Sequence, residues 1–152
     1  MVTRVHLVRH GEAAPAASDG ERPLTDTGRA DVERLARWCA QSGVRPAAIV
    51  HSGILRAEQT ARILSDALDP PGGVRAVRGL APDDDPSTWA EELKHEPAST
   101  MLVAHMPLLG ELSELLLGTG AATSFATAQI ACFERDAGGF RLTATWSPGD
   151  AP

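Results

Sequence analysis

Three short apolar runs are spaced along the chain: VHLV at residues 5–8, AAIV at residues 47–50 and TMLVA at residues 100–104. A strand with one solvated face alternates strictly between apolar and polar residues, and these runs do not. Continuous apolar runs of this length are typical of strands buried on both faces, as in a parallel sheet covered by helices. The pattern therefore predicts three buried, parallel strands.

The stretches between and after these runs show helical periodicity. The clearest one begins at Thr25, which can cap a helix, places apolar residues at i, i+3, i+4 and i+7, and ends at Gly43. Pro70 and Pro71 stop a second helix that has the same periodicity. The four predicted helices cover residues 25–43, 55–68, 87–94 and 108–118.

Two strand-like runs close the chain and flank the turn sequence DAGG within residues 128–146, which predicts an antiparallel hairpin at a sheet edge. Strands and helices thus alternate through most of the length. This order predicts an α/β fold, a three-layer α/β/α sandwich with a mostly parallel central sheet. We expect a single domain over residues 1–147 and a disordered tail at residues 148–152.

The charge and hydropathy of the chain exclude several classes of partner. The net charge is −6 and no run of Lys or Arg is present, which argues against a nucleic-acid or anionic-membrane surface. No stretch approaches the roughly 20 apolar residues that span a membrane. The first residues, MVTRVHLVRH, lack the pattern of a signal peptide. We therefore expect a cytoplasmic protein.

Only two cysteines are present, Cys39 in a helical pattern and Cys132 in a strand pattern. The favoured interpretation is two buried free thiols in a reducing compartment. A catalytic or bridged cysteine is the alternative.

Polar residues follow each of the three apolar runs. Arg9 and His10 follow the first, His51 and Ser52 the second, and His105 the third. Because ligands of open α/β sheets bind beyond the carboxyl ends of the strands, we expect these endings to meet at one place. The alternative is that each histidine only marks the point where a strand surfaces, and for His51 a structural role is at least as well supported.

An anion would offset the repulsion between the positive side chains at this predicted meeting point. Arg56, at the start of the second helix, adds a second guanidinium beside Arg9, while Gly11 and Gly53 permit close approach of the backbone. Two guanidiniums and two imidazoles repel one another unless a negative group lies between them. A tetrahedral phosphoryl group satisfies them all through bidentate arginine contacts and a helix N-terminus.

These blocks carry a family resemblance. The ordered set LVRHGEA, SGILRAEQTA and LVAHMPLLG resembles the histidine phosphatase superfamily, and the segments SDGERPLTDTG and GLAPDDD make the chain most similar to its SixA-type phosphohistidine phosphatases. The resemblance implies a phosphoglycerate mutase-like sandwich. It also implies hydrolysis of phosphohistidine on a protein, such as a phosphotransfer domain, without a cofactor and with inorganic phosphate as product.

The same resemblance implies the catalytic set. His10 is the nucleophile that accepts the phosphoryl group and passes it to water, and its other ring nitrogen is expected to donate to a fixed backbone carbonyl. Arg9 and Arg56 are expected to lower the pKa of His10 and to neutralise the phosphoryl oxygens. His105 is expected to bind those oxygens from the opposite side as a charged donor.

The resemblance also implies residues for the phosphate and for the leaving group. Arg22, Ser52 and Gly11 are expected at the phosphate, although Arg22 is alternatively a surface charge before a helix. Asp85 and Glu12 are the candidates for the general acid, and the acidic run that contains Asp85 is alternatively a solvated loop. A weak acid suits phosphohistidine, because its imidazole can be protonated before it leaves.

Three rival functions stay open at this stage. The first is a phosphatase of small phosphate monoesters with the same mechanism. The second is a phosphate-binding module without catalysis. The third is a metal site, against which we note that the histidines lack paired ligand spacing and that neighbouring arginines repel a cation. We therefore expect neither metal nor cofactor.

Overall fold

Strands and helices alternate along most of the chain in the computed structural model, which describes residues 2–120 and 123–150. A short 3-10 turn, Asp19–Glu21, precedes the first helix. In chain order the elements are β1 (Thr3–Arg9), α1 (Asp26–Gln41), β2 (Ala48–His51), α2 (Leu55–Leu68), β3 (Val74–Ala76), α3 (Pro86–His95), β4 (Thr100–Ala104), α4 (Leu108–Leu117), β5 (Ile130–Asp136) and β6 (Gly139–Trp146).

The six strands form one sheet in the order β3-β2-β4-β1-β5-β6. The first four in this order pair in parallel, whereas β5 and β6 form the predicted antiparallel hairpin at the edge. Central β1 shows how the layers form, since Val8 packs with α1 and α2 while Val5 and Leu7 pack with α3 and α4. The predicted three-layer sandwich with a mostly parallel sheet is confirmed.

The four predicted helices are present, with ends that local chemistry explains. Thr25 caps α1, since its hydroxyl oxygen accepts the backbone N–H of Gly28 at 2.9 Å. Gly118 ends α4 in the left-handed conformation that glycine adopts without a steric cost. Strand β3 was not predicted, because its three residues include Arg75 and carry no apolar pattern. It joins the sheet as a short edge strand beside β2.

Both cysteines are buried free thiols, as predicted. Burial raises the pKa of each thiol, to about 12 for Cys132, so neither is a nucleophile near neutral pH. Trp38 of α1 stacks on Trp146 of β6 with 6.3 Å between ring centroids, and both rings pack on the core between α1, α2 and the sheet.

The end of the described chain is a turn. The backbone N–H of Ser147 donates to the Asp150 carboxylate at 2.8 Å, and the N–H of Asp150 donates back to the Ser147 carbonyl at 2.9 Å. The rest of the predicted tail, residues 151 and 152, lies outside the described residues. Within residues 2–120 and 123–150, no helix is long and apolar enough to cross a membrane.

Candidate active site

The sheet order brings the three polar strand endings together. Strand β4 lies between β2 and β1, and all three run in parallel, so their carboxyl ends share one edge of the sheet. Arg9 pairs in register with Ala104, which places His10 beside His105 with 5.0 Å between their ring centroids. The predicted meeting point of the two histidines is present.

Cavities that bind small ligands have volumes of about 300 to 1,000 Å³. The one at this edge has a volume of about 430 Å³. Six of the predicted site residues line it, among them the candidate acid Glu12. The lining residues are Arg9, His10, Glu12, Ala13, Asp19, Arg22, Arg56, Pro82, Asp83, His105, Met106 and Thr127.

His10 is held as a single tautomer by the backbone. Its Nδ1 lies 2.7 Å from the carbonyl oxygen of Gly11, so Nδ1 carries the proton and donates it there, which confirms the expected contact to a backbone carbonyl. Its Nε2 then keeps the lone pair and lies 3.4 Å from the donating Nε of Arg56. The nitrogen that can attack phosphorus is therefore the one beside the arginines.

The environment of His10 keeps the ring neutral. Its pKa is lowered to about 4, mainly by burial and further by the positive charges of Arg56, Arg9 and Arg22, while the hydrogen bond to Gly11 acts in the opposite direction. The predicted influence of the arginines is present, but burial is the larger cause. At pH 7 the imidazole is unprotonated, which is the form a nucleophile needs.

Arg9 and Arg56 are each anchored by a backbone carbonyl. The Nη1 of Arg9 donates to the Phe125 carbonyl at 2.7 Å. Arg56, in the first turn of α2, is 4% exposed, and its Nη1 donates to the Asp19 carbonyl at 2.9 Å. Their fixed positions suit the binding of oxygens on a transferring group.

Arg22 belongs to the cavity wall, as predicted, and is more than a surface charge before a helix. Its Nε and Nη2 donate to the carbonyls of Ala14 and Ala13 at 3.2 and 3.3 Å. Its Nη1 donates to the Asp19 carboxylate at 3.3 Å. These contacts hold the guanidinium on the cavity wall, where the Asp19 carboxylate links it to Arg56.

The protonation of His105 differs from the prediction. Burial lowers its pKa to about 3, and the neighbouring ring of His10 and the charge of Arg56 lower it further. The ring is therefore neutral in the structure, whereas we expected a charged donor. A neutral imidazole still donates one N–H, and a phosphoryl dianion beside it would favour the charged form.

Ser52 was predicted to bind phosphate, but the structure places it behind His105. Its Oγ lies 2.7 Å from His105 Nε2 and accepts the backbone N–H of Ile54 at 3.2 Å. It is not among the residues that line the cavity. The hydroxyl fixes the orientation of the His105 ring, and His51 fixes the same turn by accepting the N–H of Gly53 at 3.0 Å.

Gly11 was also predicted at the phosphate, and its contacts lie elsewhere. Its N–H donates to Thr60 Oγ1 at 3.0 Å and its carbonyl is occupied by His10. A Cβ atom here would lie 2.8 Å from Val32 Cγ2 and 2.9 Å from the Gly28 carbonyl oxygen. The glycine is needed because the chain passes close to α1, and its contact with phosphate stays a prediction.

The two candidates for the general acid lie in different places. Asp85 caps α3, where its Oδ1 accepts the N–H and the hydroxyl of Ser87 at 2.9 and 2.8 Å, and these bonds lower its pKa. Glu12 lies on the cavity wall, and its Oε1 accepts the Thr25 hydroxyl at 2.7 Å. The structure thus brings Glu12 to His10 and does not bring Asp85 there.

Sequence reasoning missed Asp19, Thr60 and the Phe125 carbonyl. Thr60 lies one turn after Arg56 and looked like part of the apolar face of α2. Asp19 lies within the segment SDGERPLTDTG that carries the resemblance, but nothing in the sequence indicated that its exposed carboxylate would contact two arginines. Across the part of the chain that the structure describes, no group of three or more His, Cys, Asp or Glu residues is arranged to hold a metal ion.

The low pKa of His10 predicts how stability changes with pH. Because the folded pKa of about 4 lies below the ordinary 6.5, the unfolded chain takes up a proton first, and stability falls as the pH falls from 6.5 towards 4. Between pH 6.5 and 5, protonation of His10 in the unfolded chain lowers the free energy of unfolding by about 2 kcal/mol.

Urea unfolding of the wild type and of His10→Asn at the two pH values measures this contribution. From pH 6.5 to pH 5, we expect the free energy of unfolding to fall by about 2 kcal/mol less in the variant than in the wild type. Equal losses in both proteins would show that His10 titrates at its ordinary pKa in the fold.

Comparison with known proteins agrees with this geometry. A family model described as the histidine phosphatase superfamily (branch 1) matches residues 5–80. Phosphohistidine phosphatase SixA of Escherichia coli (strain K12) is 34% identical over 141 residues, which cover 90% of this chain and 88% of that protein.

Solved structures share the fold over almost the whole chain. The structure of the protein histidine phosphatase SixA complexed with tungstate has a TM-score of 0.89 and 32% identity, and the match covers 96% of this chain and 97% of that one. The native structure of mycobacterial glucosyl-3-phosphoglycerate phosphatase, at 18% identity, has a TM-score of 0.73 and covers 93% and 97%. The latter likeness concerns the fold alone.

Proposed function

The chain belongs to the histidine phosphatase superfamily, and from this premise we propose that it hydrolyses phosphohistidine on a protein through a phosphorylated His10. The observation that carries the proposal is the state of His10. Its neutral ring is fixed by the Gly11 carbonyl. Its unprotonated Nε2 accepts a hydrogen bond from Arg56 Nε at 3.4 Å, in a cavity that Arg9 and Arg22 also line. The 34% identity to a protein named phosphohistidine phosphatase supports the substrate class.

The proposed reaction has two transfers. The lone pair of His10 Nε2 attacks phosphorus, the phosphorus–nitrogen bond of the substrate breaks, and the leaving imidazole keeps the electron pair and a proton. Water then attacks the phosphorus on His10, and the bond between phosphorus and Nε2 breaks. Its electron pair returns to Nε2, which restores the neutral imidazole, and the protons of water leave with inorganic phosphate or pass to solvent.

Arg9, Arg22 and Arg56 neutralise the phosphoryl oxygens in both steps. His105 would bind them through Nε2, the nitrogen that Ser52 Oγ contacts at 2.7 Å, because Nδ1 is buried.

Proton transfer to the leaving group is assigned by position. Glu12 lies on the cavity wall and Asp85 caps α3, so we propose Glu12, and not Asp85, for any proton exchange with the substrate. The demand on this carboxylate is small, because an imidazole leaves readily once it is protonated. An alkoxide leaving group would demand a stronger acid.

The proposed setting follows from the remaining features. We propose that residues 1–147 act as one domain, since the six strands form a single sheet. The two buried thiols suit a reducing compartment, so we place the protein in the cytoplasm. The mechanism requires neither a metal nor a cofactor, and the net charge of −6 does not suit nucleic acid as a partner.

The test compares two classes of substrate. A phosphotransfer domain phosphorylated on its histidine and a panel of small phosphate esters are each mixed with wild type and with His10→Ala, with and without a chelator. We expect the carrier to be dephosphorylated far faster than any ester, in a reaction that the chelator does not change and the variant does not perform.

The other outcomes separate the rival functions. Faster hydrolysis of esters would keep the mechanism and overturn the proposed substrate. Binding of phosphate without turnover of either class would identify a phosphate-binding module. Loss of activity with the chelator, and its return with an added metal, would contradict the metal-independent mechanism.

A further inference from the structure

The carboxylate of Asp19 bridges two of the arginines in the catalytic cavity. Its Oδ1 lies 3.3 Å from Arg22 Nη1 and its Oδ2 lies 3.3 Å from Arg56 Nη2. The carbonyl of the same residue accepts Arg56 Nη1 at 2.9 Å. Two anionic oxygens facing two guanidiniums reproduce the contacts that two oxygens of a phosphoryl group would make.

The two sides of this bridge differ in how firmly they are held. The Arg56 side chain is 5% exposed, whereas the Asp19 side chain is 68% exposed. Asp19 lies in a 3-10 turn that has no buried residue. The carboxylate can therefore swing into water at little cost, while the Arg56 guanidinium stays in place.

Asp19 is poorly suited to be a proton donor. The hydrogen bond from Arg22 and the charge of Arg56 lower its pKa, so the group is ionised wherever the enzyme works. An ionised carboxylate among the arginines offers a charge that an incoming phosphate must displace.

We infer that Asp19 competes with phosphate for Arg22 and Arg56, and that it thereby weakens the binding of inorganic phosphate and speeds its release. Three arginines around one small anion would otherwise hold the product tightly. As phosphate leaves, the carboxylate returns to the two guanidiniums and offsets their charge. The inference rests on the proposed function only in taking this cavity as the place where phosphate binds.

The experiment measures phosphate binding directly, by calorimetric titration of inorganic phosphate at pH 7. Asp19→Asn removes the charge and keeps the size of the side chain. Asp19→Ser is a second variant, which removes the charge without introducing the amide of asparagine. Glu21→Gln is the matched control, since it removes one charge from the same exposed turn, at a residue that does not line the cavity.

We expect the Kd for phosphate to fall about three- to tenfold in both Asp19 variants and to change less than about twofold in Glu21→Gln. Inhibition of turnover by added phosphate should strengthen by the same factor. An unchanged or weaker affinity in the Asp19 variants would overturn the inference and make the contact a structural one. An equal gain in Glu21→Gln would also overturn it, because the cause would then be net charge alone.

This result is independent of the substrate assignment. Tighter phosphate binding by the Asp19 variants, in a protein that hydrolyses no phosphohistidine, would support the inference while the proposed function fails. Rapid dephosphorylation of the carrier, with phosphate affinity unchanged in Asp19→Asn, would support the function and overturn the inference.

Discussion

His10→Ala is expected to lower the rate of carrier dephosphorylation by at least about a thousandfold, because the change removes the atom that attacks phosphorus. The cavity keeps all three arginines, so the variant should still bind inorganic phosphate. The measurement is kcat/KM on the phosphorylated carrier, together with phosphate binding by calorimetry.

The control for this variant is His95→Ala. His95 lies at the end of α3, has 76% of its side chain exposed and does not line the cavity, so its loss should leave kcat/KM unchanged. Hydrolysis by His10→Ala within tenfold of the wild-type rate would contradict the nucleophile assignment, because water would then attack the substrate directly.

Arg56→Lys is expected to lower kcat/KM by about a hundredfold or more, although the charge is retained. The guanidinium presents Nε to His10 Nε2 at 3.4 Å and Nη1 to the Asp19 carbonyl at 2.9 Å, and the ammonium of lysine cannot occupy both directions. Most of the loss should appear in kcat, because charge develops on the phosphoryl oxygens in the transition state.

The matched control is Arg62→Lys on the same helix. Arg62 is 61% exposed and pairs with Glu58 at 3.1 Å, so the same exchange there should change neither kcat nor KM. A loss confined to KM in Arg56→Lys would show that Arg56 binds substrate and transition state equally. Full activity would remove it from the mechanism.

The architecture was predictable because its strongest signals lie in the sequence. Strand β1 has Val5 and Leu7 on one face and Val8 on the other, and a run that is apolar on both faces requires helices on both sides of the sheet. Strand β3 was missed for the opposite reason. Three residues at a sheet edge, with an exposed arginine, have no pattern to detect.

The site residues could be predicted where the residue type has few chemical uses. They could not be predicted where the contact depends on the exact position of the side chain. The arginines and histidines at strand ends indicated an anion, and four of them, Arg9, His10, Arg56 and His105, line one cavity. Ser52 and Gly11 lie at the predicted strand ends, but the sequence did not indicate their contacts with His105 and with α1. A serine hydroxyl can orient a histidine ring as well as bind phosphate, and Ser52 contacts His105. A glycine allows close approach of a helix as well as of an anion, and Gly11 lies against α1.

The most direct test of the central claim is to look for the phosphoryl group on His10. The wild-type protein is mixed with a carrier that bears ³²P-labelled phosphohistidine, quenched in alkali within milliseconds to seconds, and mapped by proteolysis. The account predicts transient label on the peptide that contains His10, stable in alkali and lost in acid, which then appears as inorganic phosphate. Release of labelled phosphate from the carrier while no label is ever found on His10 would contradict it.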